Sequence, residues 1–429
     1  MPTPAARLVL FDTGSAALSP MCDTRAVFDV RTGALTTRER IEHALGMRAA
    51  ALFATDEIAP ILREREPSDM HINTLPPGEE FLFINGALVM LPDEVLHLET
   101  GEGVVDNKSH QTCAGRAGEE MALAVRLGAQ DAAAFIDSLN APKSVKMKGC
   151  SGALVLRNAW DVIRHRDAAI AHDLAALVVS RKAQCLRAPP HGVHVLGDFA
   201  VIVDPEAHVS PIVVLDASKG AIVLDRGAIV RPGVVIHGPA YIGAASHALE
   251  RTLIKPNTAI GPMCKVAGEV GGTIIQSFSN KAHDGHLGDA WLGEWVNLGA
   301  STINSNLLNT YGTIASPVGP DTPSKRRTGM TFLGCIIGDH TKTAIGTRIM
   351  TGTTIGVGAM IAASAPPPQA TPTFAWLTDA GSHVHRLDRF LESAARMMDR
   401  RDVAMSPAME RRLRDLHKCA AAVRPSGSS

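Results

Sequence analysis

One polar segment of the sequence carries the residue types that acid–base chemistry needs. Residues 279–307 read SNKAHDGHLGDAWLGEWVNLGASTINSNL and include His283, His286, Asn304 and Asn306. A histidine titrates near neutral pH, so it can remove the proton from an amine that attacks a thioester. An amide side chain can help to stabilise the oxyanion that this attack produces. The segment therefore predicts an acyl-transfer site, although asparagines in such turns also form structural ladders.

A metal site is an alternative interpretation of the same segment. His283, Asp284 and His286 carry ligand atoms, but their spacing matches no common zinc motif. A metalloenzyme similar to the γ-carbonic anhydrases would need three histidines across a subunit interface. The sequence leaves the identity of any metal unknown.

Aliphatic residues recur at six-residue steps through the middle of the chain, and this repeat must position the polar segment. Repeats of this length are typical of a parallel β-helix, in which three hexads form a coil of about 18 residues. We therefore expect a parallel β-helix over residues 189–365. The stepped positions are Val203, Val209, Leu215, Leu224, Val230, Ile236, Ile242, Ile254, Ile260, Val266, Leu292, Leu298, Ile337, Ile349, Ile355 and Ile361, with Thr343 at one further step.

The repeat is interrupted where we expect function. The register fails at residues 271–287 and again at 305–333. The second interruption is rich in turn formers and carries Lys325, Arg326 and Arg327, which predicts a loop that leaves one edge of the β-helix. Because such loops often line binding sites, we assign these three cations to cofactor binding.

The regions on either side of the repeat have different patterns. In residues 1–188, short apolar runs such as RLVLF and FLFINGALVM alternate with helical runs, which predicts an α/β domain with a mainly parallel sheet. Residues 366–429 begin with a proline-rich stretch, which we expect to end the β-helix as a stiff linker, and continue as an amphipathic helix. The chain is thus predicted to contain an α/β domain, a β-helix and a helical tail.

The composition argues against several classes of protein. The 429 residues include 42 Lys and Arg and 43 Asp and Glu, so charge gives no reason to expect nucleic acid or an anionic membrane as a partner. There is no signal-peptide pattern and no run of about 18 apolar residues. The seven cysteines are scattered, which matches neither a disulfide framework nor a zinc motif. We expect a cytoplasmic protein with reduced thiols.

The polar segment resembles the acetyltransferase region of the bifunctional uridyltransferase/glucosamine-1-phosphate acetyltransferase family. It is still more similar to divergent sugar nucleotidyltransferases of that superfamily, which carry SNKxHDGxLGxSxLGEWVNLGAGTxxSNL. The resemblance implies a trimeric left-handed β-helix with acetyl-CoA bound between subunits. It also implies His283 as the general base, Lys281 as the conserved lysine before it, and Asn306 as a group that positions the acceptor amine. A one-residue gap leaves His286 as a rival base, although it more naturally replaces the family's tyrosine.

The chain departs from this family at the acceptor site. The family's VEIKNS appears here as GEVGGT, with Glu269 retained and Gly271 in place of the lysine that binds the sugar phosphate. Lys255 stands in a turn where relatives have arginine and can supply part of that positive charge. We therefore expect Lys255, Glu269, His286 and Asn304 to bind the substrate, an amino-sugar phosphate or a nucleotide amino sugar.

The N-terminal region resembles a sugar-1-phosphate nucleotidyltransferase that has lost its glycine-rich phosphate loop. The part of the motif that follows the loop is retained and includes Arg25 and Arg31. The resemblance implies that these two arginines contact phosphate, for which the guanidinium fork is suited. The alternative is that they form surface ion pairs with Asp23 or Asp29.

The metal ligand of the N-terminal region is also changed. Ala87 occupies the position at which the family has an aspartate that binds Mg²⁺. A nucleotidyltransferase with Mg²⁺ would then need other ligands, such as Asp12 or Asp106. Two hypotheses follow for the whole chain: an acyltransferase with a diverged nucleotidyltransferase domain, or a non-catalytic protein that binds a nucleotide sugar and regulates.

Overall fold

The computed structural model describes residues 6–106, 122–139 and 142–423. Contacts divide the chain into two compact units, which are described separately. The first unit comprises Met1–Leu18, Thr24–Val30 and Thr36–Arg157, and the second comprises Ser19–Asp23, Arg31–Leu35 and Asn158–Ser429. The second unit thus begins before the predicted junction at residue 188, because the helix before that junction contacts the β-helix.

Within the described residues of the first unit, seven strands form one sheet. The strands are β1 (Arg7–Phe11), β2 (Ala51–Phe53), β3 (His71–Ile72), β4 (Glu80–Asn85), β5 (Glu102–Asp106), β6 (Ala122–Gly128) and β7 (Lys146–Cys150). Their order is β3-β2-β1-β4-β6-β5-β7. Only β6 runs antiparallel to its neighbours among these described strands. The predicted α/β unit with a mainly parallel sheet is confirmed.

Helices flank this sheet and begin and end at recognisable signals. Helix α1 begins at a capping box, in which the side chain of Thr36 accepts from the Glu39 N–H at 3.2 Å and the Glu39 carboxylate accepts from the Thr36 N–H at 2.7 Å. It ends at Gly46, whose left-handed φ of 63° suits glycine. The helices of this unit are α1 (Thr37–Leu45), α2 (Ala59–Arg65), α3 (Asp93–Leu96) and α4 (Ala129–Ser138).

The second unit contains short parallel strands stacked coil on coil, the arrangement of a parallel β-helix. We name its three sheets face 1, face 2 and face 3. Face 1 contains β8 (Val193–Leu196), β11 (Val213–Asp216), β14 (Val235–His237), β17 (Leu253–Ile254), β20 (Glu269–Gly271) and β23 (His286–Gly288). Face 2 contains β9 (Val201–Val203), β12 (Ile222–Leu224), β15 (Ala240–Ile242), β18 (Thr258–Ile260), β21 (Ile274–Ser277), β24 (Trp291–Glu294), β28 (Cys335–Ile337), β31 (Thr353–Ile355) and β33 (Ala370–Thr371).

Face 3 is built in two parts that a bridge connects. The first part contains β10 (His208–Val209), β13 (Ile229–Val230), β16 (His247–Ala248), β19 (Lys265–Val266) and β22 (Asn280–Lys281). The second contains β29 (Lys342–Thr343), β32 (Met360–Ala362), β34 (Ala375–Thr378) and β35 (Gly381–Val384). Asn297 joins them, because it pairs with Asn280 on one side and with Lys342 on the other.

The register of these sheets follows the predicted hexads. In face 3, Val230 pairs with Ala248 and Ala248 pairs with Val266, so successive partners advance by one predicted coil. The stepped aliphatic residues all lie in one buried core, or pack against it in the case of Val203 and Val209. Thr343 is also buried. This burial agrees with the six-residue spacing, since burial of these side chains stabilises each coil, and the hexapeptide left-handed form of the β-helix stays a prediction.

The remaining elements depart from the repeat. Strands β26 (Ala315–Gly319) and β27 (Thr322–Arg327) form an antiparallel hairpin within the predicted excursion, and β25 (Ile303–Asn304) pairs with β30 (Arg348–Ile349). Before the β-helix lie α5 (Asp161–Arg164) and α6 (Arg166–Ser180), and the chain closes with α7 (Leu387–Asp399) and α8 (Pro407–Val423).

The proline-rich stretch does not end the β-helix as predicted. Its prolines precede β33, which pairs with β31, and β34 then pairs with β32. The sheets therefore continue past residue 365, since the prolines occupy the turn and leave the strand N–H groups free to pair.

The described residues bear on two expectations from the composition, which concern membrane-spanning helices and disulfides. No described helix is both long and apolar enough to cross a membrane. The described cysteines are free thiols, and Cys113 lies outside the described residues.

Candidate functional site

The polar segment contributes to two different faces of the β-helix. Lys281 ends β22 in face 3, whereas His286 begins β23 in face 1, and His283 lies in the turn that connects these strands. The two histidines therefore stand in different surroundings, although only two residues separate them in the sequence.

Lys281 is a structural residue of the turn that carries His283. Its side chain follows Val266 in the inward-facing column of face 3, and the residue is only 2% exposed. Its Nζ donates to the carbonyl oxygens of Ala267 at 3.0 Å, His283 at 2.6 Å and Asp284 at 2.9 Å. Burial lowers the pKa of Lys281 to about 8. The ammonium group thus holds the turn, and a catalytic role for Lys281 stays a prediction.

His283 is exposed and lines a cavity of about 780 Å³. The other walls of this cavity come from face 3 and from α7, with Asn280, Asn297 and Arg400 among them. Asn306, the amide expected beside His283, is not among the described residues that line it. The turn carries His283 toward face 3, so the two residues do not meet in this cavity, and their predicted pairing stays a prediction.

His286 instead pairs with the carboxylate of Glu269. It is the register partner of Glu269 on the neighbouring strand of face 1, and its Nδ1 lies 3.3 Å from Glu269 Oε1. The same carboxylate oxygen also contacts Lys255 Nζ. The hydrogen bond from Lys255 and the charge of His286 lower the pKa of Glu269, so this group stays a carboxylate near neutral pH. A carboxylate at Nδ1 leaves Nε2 as the atom that can accept a proton.

Gly288 brings Asn306 to the other side of His286. A Cβ built on Gly288 would lie 2.5 Å from His286 Nε2 and 2.9 Å from Asn306 Nδ2. These two atoms converge over the glycine because it has no side chain. Asn306 Nδ2 also donates to Asp289 Oδ2 at 2.6 Å, which fixes the orientation of the amide. Sequence reasoning paired Asn306 with His283, whereas the described geometry brings its amide to His286.

A half-buried arginine holds Asp289 in turn. Arg166, the first residue of α6, donates through Nη1 to Asp289 Oδ1 and to the carbonyl oxygen of Gly272, both at 2.5 Å. We call the polar chain formed by Lys255, Glu269, His286, Asn306, Asp289 and Arg166 the face 1 network. Sequence reasoning missed Asp289 and Arg166. Asp289 lies within the polar segment, whereas Arg166 is distant in sequence and gave no signal.

Asn304 has a structural role beside this network. It is 6% exposed, its Nδ2 donates to the carbonyl oxygen of Gly288 at 2.8 Å, and its Oδ1 accepts from the Gly288 N–H at 2.8 Å. Both ends of its amide are used to hold the strand on which His286 lies. Asn304 thus has the structural role that asparagines take in the ladders of such turns. Substrate binding by this residue stays a prediction.

The two aspartates considered as replacement Mg²⁺ ligands, Asp12 and Asp106, already have protein partners. The two oxygens of Asp12 accept from the backbone N–H groups of Gly14 at 2.8 Å and Val27 at 2.7 Å, and burial raises the pKa of this carboxyl group. Asp106 is buried in an ion pair with Arg157. No group of three or more potential metal ligands occurs among the described residues. Because both candidate aspartates have protein partners, no step is assigned to Mg²⁺ here.

The two arginines proposed to bind phosphate lie in different units. Arg25 is buried in the first unit. Arg31 belongs to the second unit, where its Nε donates to the carbonyl oxygen of Gln276 at 3.1 Å and its Nη1 to that of Ala34. Its own carbonyl accepts from Trp291 Nε1 at 3.1 Å. These bonds tie Arg31 to the β-helix, so its surroundings are structural, and phosphate binding by either arginine is untested.

The cations assigned to cofactor binding lie on the exposed strand of the hairpin. Lys325, Arg326 and Arg327 are all exposed on β27. Lys325 Nζ contacts Gln369 Oε1, and Arg327 Nη1 donates to Thr313 Oγ1 at 3.2 Å. The excursion is confirmed as a hairpin, but binding of acetyl-CoA by these residues stays a prediction.

The chain is similar to known proteins over part of its length. Residues 8–182 match the family model described as sugar nucleotidyl transferase. The chain is 34% identical over 152 residues to the bifunctional protein GlmU of Methanocaldococcus jannaschii, a match that covers 34% of this chain and 35% of that protein. It is 32% identical over 146 residues to the bifunctional sugar-1-phosphate nucleotidylyltransferase/acetyltransferase of Sulfurisphaera tokodaii, covering 33% and 35%. These matches span about one third of each relative.

Proposed function

We propose that this chain, a diverged relative of the GlmU-like sugar nucleotidyltransferases, transfers an acyl group from an acyl-CoA to an amino sugar at the face 1 network. The acceptor class is an amino-sugar phosphate or a nucleotide amino sugar, and acetyl-CoA is the expected donor. The observation that carries the proposal is the position of His286 between the carboxylate of Glu269 and the amide of Asn306.

The geometry assigns a role to each group in the reaction. The acceptor amine attacks the thioester carbonyl, a C–N bond forms, and His286 Nε2 takes the proton of the amine. Glu269 stabilises the resulting imidazolium and holds Nδ1 as the donor. Asn306, fixed by Asp289, has a second amide N–H with which to orient the acceptor or bind the oxyanion. The tetrahedral intermediate then breaks its C–S bond, and the leaving thiolate receives the proton from His286.

Lys255 supports a phosphorylated acceptor. It replaces the charge of the lysine that the family has at the position of Gly271, and a Cβ built on Gly271 would lie 2.9 Å from Lys255 Cβ. The Lys255 side chain therefore covers the space that the missing side chain leaves. The Lys255 side chain is about half exposed beside Glu269. Its ammonium group can therefore attract a substrate phosphate as a point charge.

A thioester-consumption assay tests this proposal. Acetyl-CoA and longer acyl-CoA donors are offered with amino-sugar phosphates and with nucleotide amino sugars, and release of free thiol is followed. We expect at least one acceptor to give turnover, with loss of a free amine on the acceptor. If no donor and acceptor pair releases thiol above the rate without protein, the proposal is wrong.

The first unit favours a second function, the binding of a nucleotide sugar without turnover. The specific support is that Asp12 and Asp106 are bound by backbone N–H groups and by Arg157, while Ala87 replaces the family's metal-binding aspartate. Calorimetric titration with UDP- and dTDP-sugars tests it, and saturable binding is expected. A left-handed coil, a homotrimer and a cytoplasmic location accompany the main proposal as expectations from the family.

A further inference from the structure

We propose that Arg166 is a positioning residue for acyl transfer, and that it acts through Asp289 on the side chains of Asn306 and His286. This inference rests on the proposed function of the face 1 network, in which His286 is the base. Arg166 is bonded to Asp289 and to the backbone rather than to the imidazole. Its part is to hold Asp289 in the orientation that keeps the Nε2 atom of His286 free of a proton.

The carboxylate of Asp289 bonds to a different donor through each of its oxygens. Oδ1 accepts from Arg166 Nη1 at 2.5 Å, and Oδ2 accepts from Asn306 Nδ2 at 2.6 Å. The side chains of Arg166 and Asp289 are only 11% and 15% exposed, so solvent screens this ion pair little. One carboxylate therefore links the guanidinium group to the amide.

The bond to Asp289 determines which end of the Asn306 amide faces it. A carboxylate can only accept hydrogen bonds, so the amide must direct its NH₂ group, and not its oxygen, toward Asp289. The same nitrogen lies near His286, since a Cβ built on Gly288 would be 2.9 Å from Asn306 Nδ2 and 2.5 Å from His286 Nε2. The atom of the amide that approaches the imidazole is thus a donor.

This donor favours one form of the His286 imidazole. A donor beside Nε2 suits the tautomer in which Nε2 has no proton, and the Glu269 carboxylate, 3.3 Å from Nδ1, suits a proton on Nδ1. If the amide turned over, its oxygen would favour a proton on Nε2, which could then no longer act as the base. Arg166 holds the carboxylate of Asp289 at the position that prevents this rotation.

Gly272 leaves the space in which the ion pair meets. A Cβ built on Gly272 would lie 2.6 Å from Arg166 Nη1 and 2.7 Å from Asp289 Oδ1. The carbonyl oxygen of Gly272 also accepts from Arg166 Nη1 at 2.5 Å. The φ of +55° at this residue is left-handed and suits glycine. The backbone of the turn after β20 thus fixes where the two charges meet.

Helix α6 holds Arg166 against the β-helix. Arg166 is the first residue of α6, whose buried face includes Ile170 and Leu174 and which contacts β12 and β15. Just after the other end of the helix, Arg181 Nη1 donates to Asp225 Oδ1 at 2.8 Å. Because the helix is held at both ends, the Arg166 side chain starts from a defined position and loses less conformational entropy when it binds its carboxylate partner.

Heteronuclear NMR of the full chain with isotope-labelled histidine tests this role without any substrate. Ring nitrogens with and without a proton differ in nitrogen chemical shift, and the spectrum of His286→Gln identifies the signals of His286. We expect Nε2 to lack a proton in most native molecules, and its signal to move toward the protonated value in Arg166→Met and in Asp289→Ala. Arg181→Met is the matched control, because it removes an ion pair at the other end of α6 and leaves Asp289 in place.

The kinetics of acyl transfer give a second readout. Arg166→Met should lower kcat about ten-fold or more and change the KM for acyl-CoA less than about three-fold, since the described bonds of Arg166 are to protein groups. Added guanidinium ion should restore part of kcat in Arg166→Ala, and methylammonium should restore less, because only guanidinium has the planar fork of donors. Arg181→Met should keep kcat within about three-fold of the native value.

Two results would overturn the role of Arg166. One is an unchanged nitrogen signal of His286 in both Arg166→Met and Asp289→Ala, once circular dichroism shows that they are folded. The other is an equal change in Arg181→Met, which would show that any loosening of α6 has the same effect. If Arg166→Met does not fold, Arg166→Lys takes its place, since it keeps the charge and lacks the fork. The NMR measurement needs no turnover, so failure of the positioning role is distinguishable from failure of acyl transfer.

Discussion

The imidazole of His286 faces the carboxylate of Glu269, with 3.3 Å between Nδ1 and Oε1. This relationship comes from the β-helix itself, because the two residues are register partners on adjacent coils of face 1. A carboxylate at Nδ1 directs the other ring nitrogen toward the position where Asn306 arrives over Gly288. The stacking of one coil on the next thus orients the imidazole for the proposed role of base.

The first prediction concerns the glycine on which the site depends. Gly288→Ala places a methyl group 2.5 Å from the position of His286 Nε2, so the imidazole must move away from Asn306. Because displacement of a base by about 1 Å can cost about a hundred-fold in rate, we expect kcat/KM for acyl transfer to fall by roughly ten- to a hundred-fold.

Gly319→Ala is the matched control for this change. A Cβ on Gly319 meets nothing within 4 Å, and the residue ends β26, outside the face 1 network. Steady-state kinetics and the circular dichroism of both variants check the prediction. Full activity in a folded Gly288→Ala variant would show that the reaction does not require His286 Nε2 and Asn306 Nδ2 to meet over residue 288.

The second prediction concerns the pH dependence of activity. Lys255 is the main cause of the lowered pKa of Glu269, so Lys255→Met should let that pKa rise toward its ordinary value. Glu269 then gains its proton at a higher pH, and the acidic limb of the kcat/KM profile should move to higher pH. The exposed Lys219→Met variant should leave the limb in place. An unchanged acidic limb in Lys255→Met would show that protonation of Glu269 does not control the rate of the reaction.

Much of the fold was predictable because the repeat is a direct consequence of burial. Each aliphatic step must point into the coil, so positions such as Ile242, Ile260 and Leu292 could be assigned to the core without coordinates. The resemblance to sugar nucleotidyltransferases is likewise confirmed, since residues 8–182 match that family model. The predicted end of the β-helix was wrong, because the sheets continue past the prolines.

The site was less predictable, because its partners are set by register and by distant packing. Lys281 occupies an inward position that a hexad would fill with an aliphatic residue, and only the turn carbonyls around it explain the exception. Pairing of Glu269 with His286 depends on the length of a shortened coil, which hexad counting does not determine. Arg166 reaches Asp289 from another part of the chain, so no local pattern indicates it.

The third prediction concerns stability and the buried Lys281. Its pKa is about 8 in the folded chain, whereas an unfolded lysine has a pKa of about 10.4. Between these values the unfolded chain binds more protons than the folded chain, so the contribution of Lys281 to the free energy of unfolding rises with pH. Lys281→Met removes this titration. The native-minus-variant difference in unfolding free energy should therefore increase from pH about 8 to 10 and stay constant below pH 8.

Urea unfolding followed by tryptophan fluorescence measures this difference. All four tryptophans, Trp160, Trp291, Trp295 and Trp376, belong to the second unit, so the signal reports on the unit that contains Lys281. At pH 7 the variant should be less stable by about 1–3 kcal/mol, since carbonyl acceptors lose their donor. A difference that does not vary between pH 8 and 10 would contradict burial of the charged group.

The fourth prediction concerns metal dependence. We expect dialysis against EDTA to leave acyl transfer unchanged, because the proposed face 1 chemistry uses only protein groups. Pyrophosphate release from UTP or dTTP with a sugar 1-phosphate should be weak or absent even with added Mg²⁺, since Asp12 and Asp106 have protein partners and Ala87 provides no ligand. Rapid Mg²⁺-dependent release would show that the first unit holds metal through other residues.

The most direct measurement of the central claim is the rate of acyl-CoA consumption by His286→Ala and His283→Ala, compared with the native chain and the best acceptor. We expect a loss of about a hundred-fold or more in kcat for His286→Ala, as for removal of a general base, and a change of less than about three-fold for His283→Ala. Equal rates in the native chain and His286→Ala, or a large loss confined to His283→Ala, would contradict it.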